Sequence, residues 1–287
     1  MAKSLMDAGF SIKESCAYLD FPRSTYYREE SPFEKHERKH APDESLIVEN
    51  IKSIKLDHPF WGYRRVHAWL KNRDEIKVNI KRVRRMMKEH NLMASETVHQ
   101  VKRTPQRSKP KATMPCQFWG IDMTKFLVPS VGWVYLVLVL DWYTKKVVGW
   151  DISLRSRTCE WKAALDMAIN REFPDGVRGK GLKLVSDNGC QPTSLAFMKD
   201  TATLGVEQIF TSYNNPKGNA DTERMMRTVK EEVIWLNEFE SVKESTEMIG
   251  RWIEQDYNQL YVHSALGYLS PEEFEEEYYS SRLKLAA

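Results

Sequence analysis

Three carboxylates stand in segments where chemistry is concentrated. Asp122 lies in Trp119-Gly120-Ile121-Asp122-Met123-Thr124, Asp187 in Val185-Ser186-Asp187-Asn188-Gly189, and Glu223 in Gly218-Asn219-Ala220-Asp221-Thr222-Glu223. Between Asp187 and Glu223 there are 35 residues, and Lys230 follows Glu223 by seven. Carboxylate oxygens are hard ligands, and three of them drawn from separate segments are what a site for two magnesium ions needs. Such a site cuts and joins phosphodiester bonds. Singly, each residue has a plainer use as a helix cap, a turn aspartate or a surface glutamate. The force comes from all three together with their neighbours.

The surrounding pattern supplies elements to carry them. Residues 118–128 read as a strand with Asp122 inside it, and an aspartate among apolar strand residues is costly unless it is paired or metal-bound. The nearly continuous apolar run 133–140 predicts an interior strand covered on both faces. A third, alternating strand follows at 146–154, then an amphipathic helix at 157–170. Asp187 comes directly after a short buried strand at 182–186, where functional residues of α/β sheets tend to sit. Asn188-Gly189 makes a tight turn that aims its carboxylate. A helix at 195–203, a strand at 206–210 and a turn-rich loop at 213–219 lead into a long helix from Ala220 to Trp235. Glu223, Arg227 and Lys230 share one face of that helix. A cation there can hold a DNA phosphate, and an ordinary Glu223–Arg227 ion pair is compatible with this. Three strands, a helix, then alternating strand and helix predict a mixed-sheet α/β domain over 116–238. Helices at 242–257 and 271–279 make a C-terminal helical segment over 239–287.

The front of the chain has a different character. Residues 1–113 hold 24 Lys and Arg against 15 Asp and Glu, net +9, whereas the remainder holds 19 against 25, net −6. A basic front joined to an acidic back points to a polyanion partner at the front. Within 1–43, Ser11 can cap a helix with the apolar face Ile12, Cys16 and Leu19, Asp20-Phe21-Pro22 breaks it, and Ser24 starts a second helix. Helix, turn, helix with Arg23, Arg28 and small polar residues at the second helix is how a major-groove reader of DNA is built, and a plain helical hairpin is the bland alternative. Residues 44–94 form a second helical unit, with Arg64 and Arg65 near the start of one helix. In its last helix Val83, Met86 and Met87 face inward, while Lys81, Arg82, Arg84, Arg85 and Lys88 cover much of the rest. Five cations on one short helix repel each other, so an anionic partner relieves a real cost. Residues 95–115, with five cations and three prolines, read as a basic linker.

Other classes of function are weaker. With 41% apolar and 29% charged residues the chain has an ordinary core-forming composition. Its longest apolar run is too short to span a bilayer, and no signal peptide opens it, so a cytosolic protein with no membrane partner is expected. The four cysteines form no CxxC pair and are expected to be isolated, reduced thiols. His36-Glu37-Arg38-Lys39-His40 fits the HExxH pattern but lies in a wholly charged stretch with no apolar helix face. Without a following CxxC it makes no His-His-Cys-Cys zinc module either. Asp141, at the end of the apolar strand, is a rival carboxylate, read as structural or as a charge near the site.

Taken together, Asp122, Asp187 and Glu223, with their spacing and Lys230, resemble the retroviral-integrase-like DDE transposases. More closely, the chain resembles the second-frame product (OrfB) of the insertion-sequence-three family of bacterial mobile elements. His58-Pro59-Phe60-Trp61-Gly62-Tyr63-Arg64-Arg65-Val66 and the segment 78–86 are similar to its second helix-turn-helix segment. Val185–Gly189 and Gly218–Glu232 are similar to its catalytic core, and His263-Ser264-Ala265-Leu266-Gly267-Tyr268-Leu269-Ser270-Pro271-Glu272-Glu273 to its C-terminal signature. One departure is local: Tyr261-Val262 stand before His263, where the family carries Arg-Pro. The resemblance implies a ribonuclease-H-like core, two Mg2+ ions with Mn2+ able to substitute, and double-stranded DNA of element ends and target as substrate. It implies Asp122, Asp187 and Glu223 as ligands, with Asn188, Lys217, Arg227 and Lys230 as DNA contacts. It further implies a homo-oligomer on DNA in a bacterial, nucleoid-associated setting, with a first-frame partner or fusion supplying the leucine zipper that is not seen here. The competing expectation is a non-catalytic DNA-binding regulator. A ribonuclease acting on RNA–DNA hybrids would not need two helical modules at the front.

Overall fold

The computed structural model describes residues 2–7, 9–20, 22–23, 44–94, 111–211 and 218–286. It has two compact units, Met1–Ile47 and Val48–Ala287. Arg28, His36, His40, Lys217 and the helix expected from Ser24 lie outside the described residues, as does most of the expected basic linker.

In the first unit, α1 (Ala2–Asp7) precedes α2 (Ile12–Tyr18). Ser11 caps α2 as its sequence predicts: the Glu14 amide donates to Ser11 Oγ at 3.3 Å, and the Ser11 amide donates back to the Glu14 carboxylate at 2.9 Å. Cys16 is buried. The α1 helix was not expected, because its six residues carry too few apolar positions to show a period.

Helix α3 (Glu44–Asp57) begins in the last four residues of the first unit and runs into the second, where α4 (Tyr63–Asn72) and α5 (Ile80–Glu89) follow. Asn79 caps α5 by accepting from the Lys81 amide at 2.8 Å. Val83, Met86 and Met87 are buried, while Lys81, Arg84, Arg85 and Lys88 are exposed and Arg82 is half-buried. The apolar stripe predicted from the sequence is therefore the packed one. The guanidinium carbons of Arg64 and Arg84 lie 5.2 and 5.4 Å from the ring centre of Tyr63, which joins α4 to α5.

The core is a five-stranded sheet built from β1 (Phe118–Val128), β2 (Gly132–Asp141), β3 (Val147–Ser153), β4 (Lys183–Ser186) and β5 (Glu207–Phe210). Its order is β3-β2-β1-β4-β5. The first three strands form an antiparallel meander, and β4 and β5 join in parallel through the helices α6 (Thr158–Glu172) and α7 (Leu195–Leu204). This is the mixed, ribonuclease-H-like sheet. The apolar run in β2 is explained by its place: it has a strand on each side and is covered on both faces. Gly149 lets α6 lie directly on β3, since a Cβ there would come within 2.3 Å of the Ala164 carbonyl. Trp119, Ile121, Val137, Val139, Leu165, Ala168, Leu184 and Phe197 belong to the core between sheet and helices.

The closing elements differ from the sequence pattern. Helix α8 (Ala220–Glu232) ends three residues before Trp235, because Val233 leaves helical geometry at φ −131°, and a 3-10 turn follows at Ile234–Leu236. Helix α9 (Val242–Arg251) widens into a π-helical stretch, Trp252–Leu260, instead of running as one α-helix to 257. Tertiary bonds account for this stretch. The Asn258 carboxamide both donates to and accepts from the Val147 backbone at 3.0 Å, and the Tyr257 hydroxyl donates to the Lys145 carbonyl at 2.9 Å. Helix α10 (Pro271–Ala286) extends past the expected Tyr279. No helix of the described residues is long and apolar enough to cross a membrane.

Candidate active site

Strand pairing brings the segments that carry the first two carboxylates together. In the parallel β1–β4 ladder, Trp119 pairs with Leu184 and Gly120 with Val185. Continued two residues along each chain, that register reaches Asp122 and Asp187. Asp122 is half-buried and accepts the amide of Met123 at 2.7 Å. Asp187 is exposed and accepts the amide of Gly189 at 3.0 Å, which closes the turn predicted at Asn188-Gly189. The Asn188 side chain donates to the Thr211 carbonyl and so ties this turn to the end of β5.

The third carboxylate arrives on α8, and a contact that the sequence did not advertise sets where that helix begins. A Cβ on Gly120 would lie 1.9 Å from Thr222 Oγ1, 2.4 Å from Trp142 Nε1 and 3.0 Å from Asn219 Oδ1. Thr222, wholly buried, takes the space a side chain at position 120 would fill, and Trp142 Nε1 donates to its hydroxyl at 3.1 Å. The next residue is Glu223. Its helix start is therefore pinned to the β1 backbone two residues before Asp122.

Asp122 and Glu223 line a cavity of about 400 Å³ with Met123, Thr124, Met226, Arg227, Lys230 and Trp235. Asp187 does not line it. All three carboxylates nevertheless share one field. Burial pushes the Asp122 carboxyl up to about 6, the charges of Asp187 and Glu223 add to that rise, and the Met123 amide and Lys230 oppose it. Arg227 donates through Nε to Glu231 at 2.6 Å.

The donors suit a hard divalent cation: carboxylates only, in mutual repulsion, with half-buried Lys230 as the opposing cation. Two nearby buried oxygens, Ser186 Oγ just before Asp187 and Asn219 Oδ1 at the start of α8, have no hydrogen-bond partner among the described residues. The arrangement shown is not itself a ligand set. Among the described residues no group of three or more His, Cys, Asp or Glu side chains is placed to hold a metal ion.

Asp141 has a structural role. It is buried and takes four donors: the amides of Cys116 at 2.6 Å, Tyr143 at 2.7 Å and Thr144 at 2.9 Å, and Trp119 Nε1 at 3.3 Å. It closes the β2–β3 turn. Of the expected DNA contacts, Arg23 in the first unit is exposed, and in the second unit Arg64, Lys81, Arg84 and Arg85 are exposed. Arg65 is turned inward, donating to the Tyr261 hydroxyl at 2.6 Å and lying over the Tyr261 ring. Tyr261 and Val262, the local departure from the family pattern, are both buried.

Sequence reasoning missed Gly120, Thr222, Trp142 and Trp235. The available signal was the Trp-Gly pair inside an otherwise apolar strand, since a glycine there marks close backbone approach. Also missed was a buried cluster that joins α8 to the front helices. Trp61 Nε1 donates to Glu232 at 2.9 Å, His58 Nδ1 lies 2.8 Å from the other Glu232 oxygen, and the His58 ring stacks on Trp61.

Comparison with known proteins agrees with this architecture. A family model described as an HTH-like domain matches residues 42–97, and two integrase core domain models match 112–216 and 204–271. The transposase for insertion sequence element IS904 of Lactococcus lactis is 30% identical over 250 residues, spanning 83% of this chain and 96% of that protein. Transposase InsF for insertion sequence IS3A of Escherichia coli is 30% identical, spanning 58% of this chain and 56% of that protein. Among solved structures, the HTLV-2 integrase catalytic core in complex with magnesium aligns over 57% of this chain and 99% of that one, at 17% identity and a TM-score of 0.45. The chain belongs to the transposases of bacterial insertion sequences, in the insertion-sequence-three family, and carries their integrase core domain.

Proposed function

We propose that this chain nicks and joins DNA at the ends of an insertion sequence, using Asp122, Asp187 and Glu223 as the ligands of two Mg2+ ions. What supports the reading is a pair of constraints on β1: its ladder with β4 ends at Gly120 and Val185, two residues short of Asp122 and Asp187, and Gly120 makes room for the start of the Glu223 helix. Bound magnesium, or manganese in its place, supplies charge stabilisation to the attacking and leaving oxygens. In the first step water attacks the phosphorus at an element end and breaks its bond to the 3′ oxygen, leaving a free 3′-hydroxyl and a 5′-phosphate. In the second, that hydroxyl attacks another phosphodiester, forming one phosphorus–oxygen bond as one breaks.

The chain's own groups bind and orient. Lys230 and Arg227, on the cavity wall with Glu223, hold the phosphate oxygens beside the reacting one. The exposed cations of α4 and α5 bind the double-stranded DNA backbone, and Arg23, Arg28 and Lys217 are proposed as further DNA contacts. Arg65 supports it from within through Tyr261. The active form is a multimer on two DNA ends, with or without a first-frame partner.

The test is nicking of a labelled element end in Mg2+. Asp122→Asn, Asp187→Asn and Glu223→Gln are each expected to abolish strand cleavage, while binding of the end, read by gel shift, stays within about twofold of wild type. Cleavage at the wild-type rate by any one of them would remove that residue from the site.

A further inference from the structure

The catalytic cavity contains a group that phosphate chemistry does not use. Of the nine tryptophans in the chain, Trp61, Trp119, Trp142, Trp161 and Trp252 are buried and Trp69 and Trp150 are half-buried. Trp133 and Trp235 are exposed, at 50% and 61%. The exposed Trp133 ring carries Lys125 Nζ at 4.5 Å. Trp235 differs. Among the described residues no hydrogen bond or ring contact holds its indole. It sits on the 3-10 turn after α8 and lines the cavity that Asp122 and Glu223 also line.

Met123 and Met226 line that cavity as well, and Arg227 and Lys230 stand in the same wall. A flat apolar ring, two polarizable thioethers and two cations beside the reacting carboxylates make the chemistry of a nucleotide: the ring for a base, the cations for its phosphate. Leaving so large an apolar surface in water is unfavourable in the free protein, and a stacked base would cover it. A paired base in a duplex offers no free face, so the base concerned must leave its stack.

We propose that Trp235 is the platform of a nucleobase subsite in the catalytic cavity, stacking one unpaired base beside the phosphodiester that is cut or joined. The subsite rests on the nuclease reading of the same cavity. It adds a substrate group that the carboxylates do not touch.

The test pairs Trp235→Ala and Trp235→Phe with DNA carrying single abasic residues. The full-length protein is assayed in Mg2+ for nicking of an element end and for joining to a target duplex. The abasic residue is moved through about five positions on each side of the reacting bond, in the end for one series and in the target for the other. Trp235→Ala is expected to react about tenfold more slowly on intact DNA, with gel-shift affinity nearly unchanged, and Trp235→Phe to recover most of the rate. At one position the abasic residue should slow wild type to the rate of Trp235→Ala and make the substitution silent. That position identifies the end or the target as the source of the base. A substitution that merely disturbs packing slows every substrate equally. A uniform loss across all abasic positions, or no loss on intact DNA, overturns the subsite and leaves the nuclease reading standing. If wild type nicks nothing in Mg2+, both readings fall.

Discussion

Gly120 and Thr222 behave as one side chain shared between two elements. Adding a methyl at 120 puts it 1.9 Å from Thr222 Oγ1 and 2.4 Å from Trp142 Nε1, and neither buried neighbour has room to retreat. Gly120→Ala is expected to destabilise the fold by about 3 kcal/mol, read by denaturant unfolding, and to depress nicking far more than DNA binding. Thr222→Val keeps the shape but removes the hydroxyl that accepts from Trp142 Nε1, costing about 1 kcal/mol. A second residue-scale prediction concerns His263. Burial, with the cations Arg65, Lys145 and Arg224 against the single charge of Asp221, pulls its imidazole down to about 4 from the ordinary 6.5. The folded state therefore binds a proton less readily than the unfolded one. Stability contributed here is whole above pH 6.5, falls as the pH drops from there through about 4, and is flat below. His263→Gln should remove that portion of the unfolding-midpoint profile, and an unchanged profile would show that the imidazole takes up its proton equally well folded and unfolded.

At the scale of elements, what was legible in the sequence follows from where the stabilising contacts lie. The stripe of Val83, Met86 and Met87 in α5 is local, so its period showed which face is packed and which cations are left outside. The continuous apolar run of β2 likewise announced burial on both faces. The bounds of β1 and the start of α8 were equally plain. By contrast, the π-helical stretch after α9 depends on Asn258 finding the start of β3 and Tyr257 the turn before it, partners over a hundred residues away that no local pattern encodes. The early end of α8 likewise follows from its packing. If α5 carries the DNA backbone as proposed, Arg84→Ala with Arg85→Ala should reduce the slope of log affinity against log salt by about two. The loss should be uniform across DNA sequences. An unaltered slope would take this helix out of the interface.

For the second unit as a whole, Glu232 is the residue that binds front to core. Its carboxylate, at the end of the helix that begins with the Glu223 turn, is enclosed by His58 and Trp61 from the segment between α3 and α4. Arg73 and Glu273 add an outer tie between α4 and α10, with contacts of 2.5 and 2.8 Å. Glu232→Ala leaves a buried indole donor without an acceptor and should cost about 3 kcal/mol. Amide hydrogen exchange would then quicken in α4 before it quickens in α6. Simultaneous change in both would mean that the front helices have no separate opening. The candidate site shows the same division between legible and hidden. Residue types and spacing pointed to the three carboxylates, whereas where each one lies depends on Gly120, on strand pairing and on this cluster, all long-range.

Helix α8 thus carries one glutamate for the cavity and another for the clasp, nine residues apart, or about 14 Å along one rigid rod. Each residue inserted or deleted between them would turn one end by about 100° against the other. Among natural variants of this transposase, that interval should therefore keep its length even where its letters change freely.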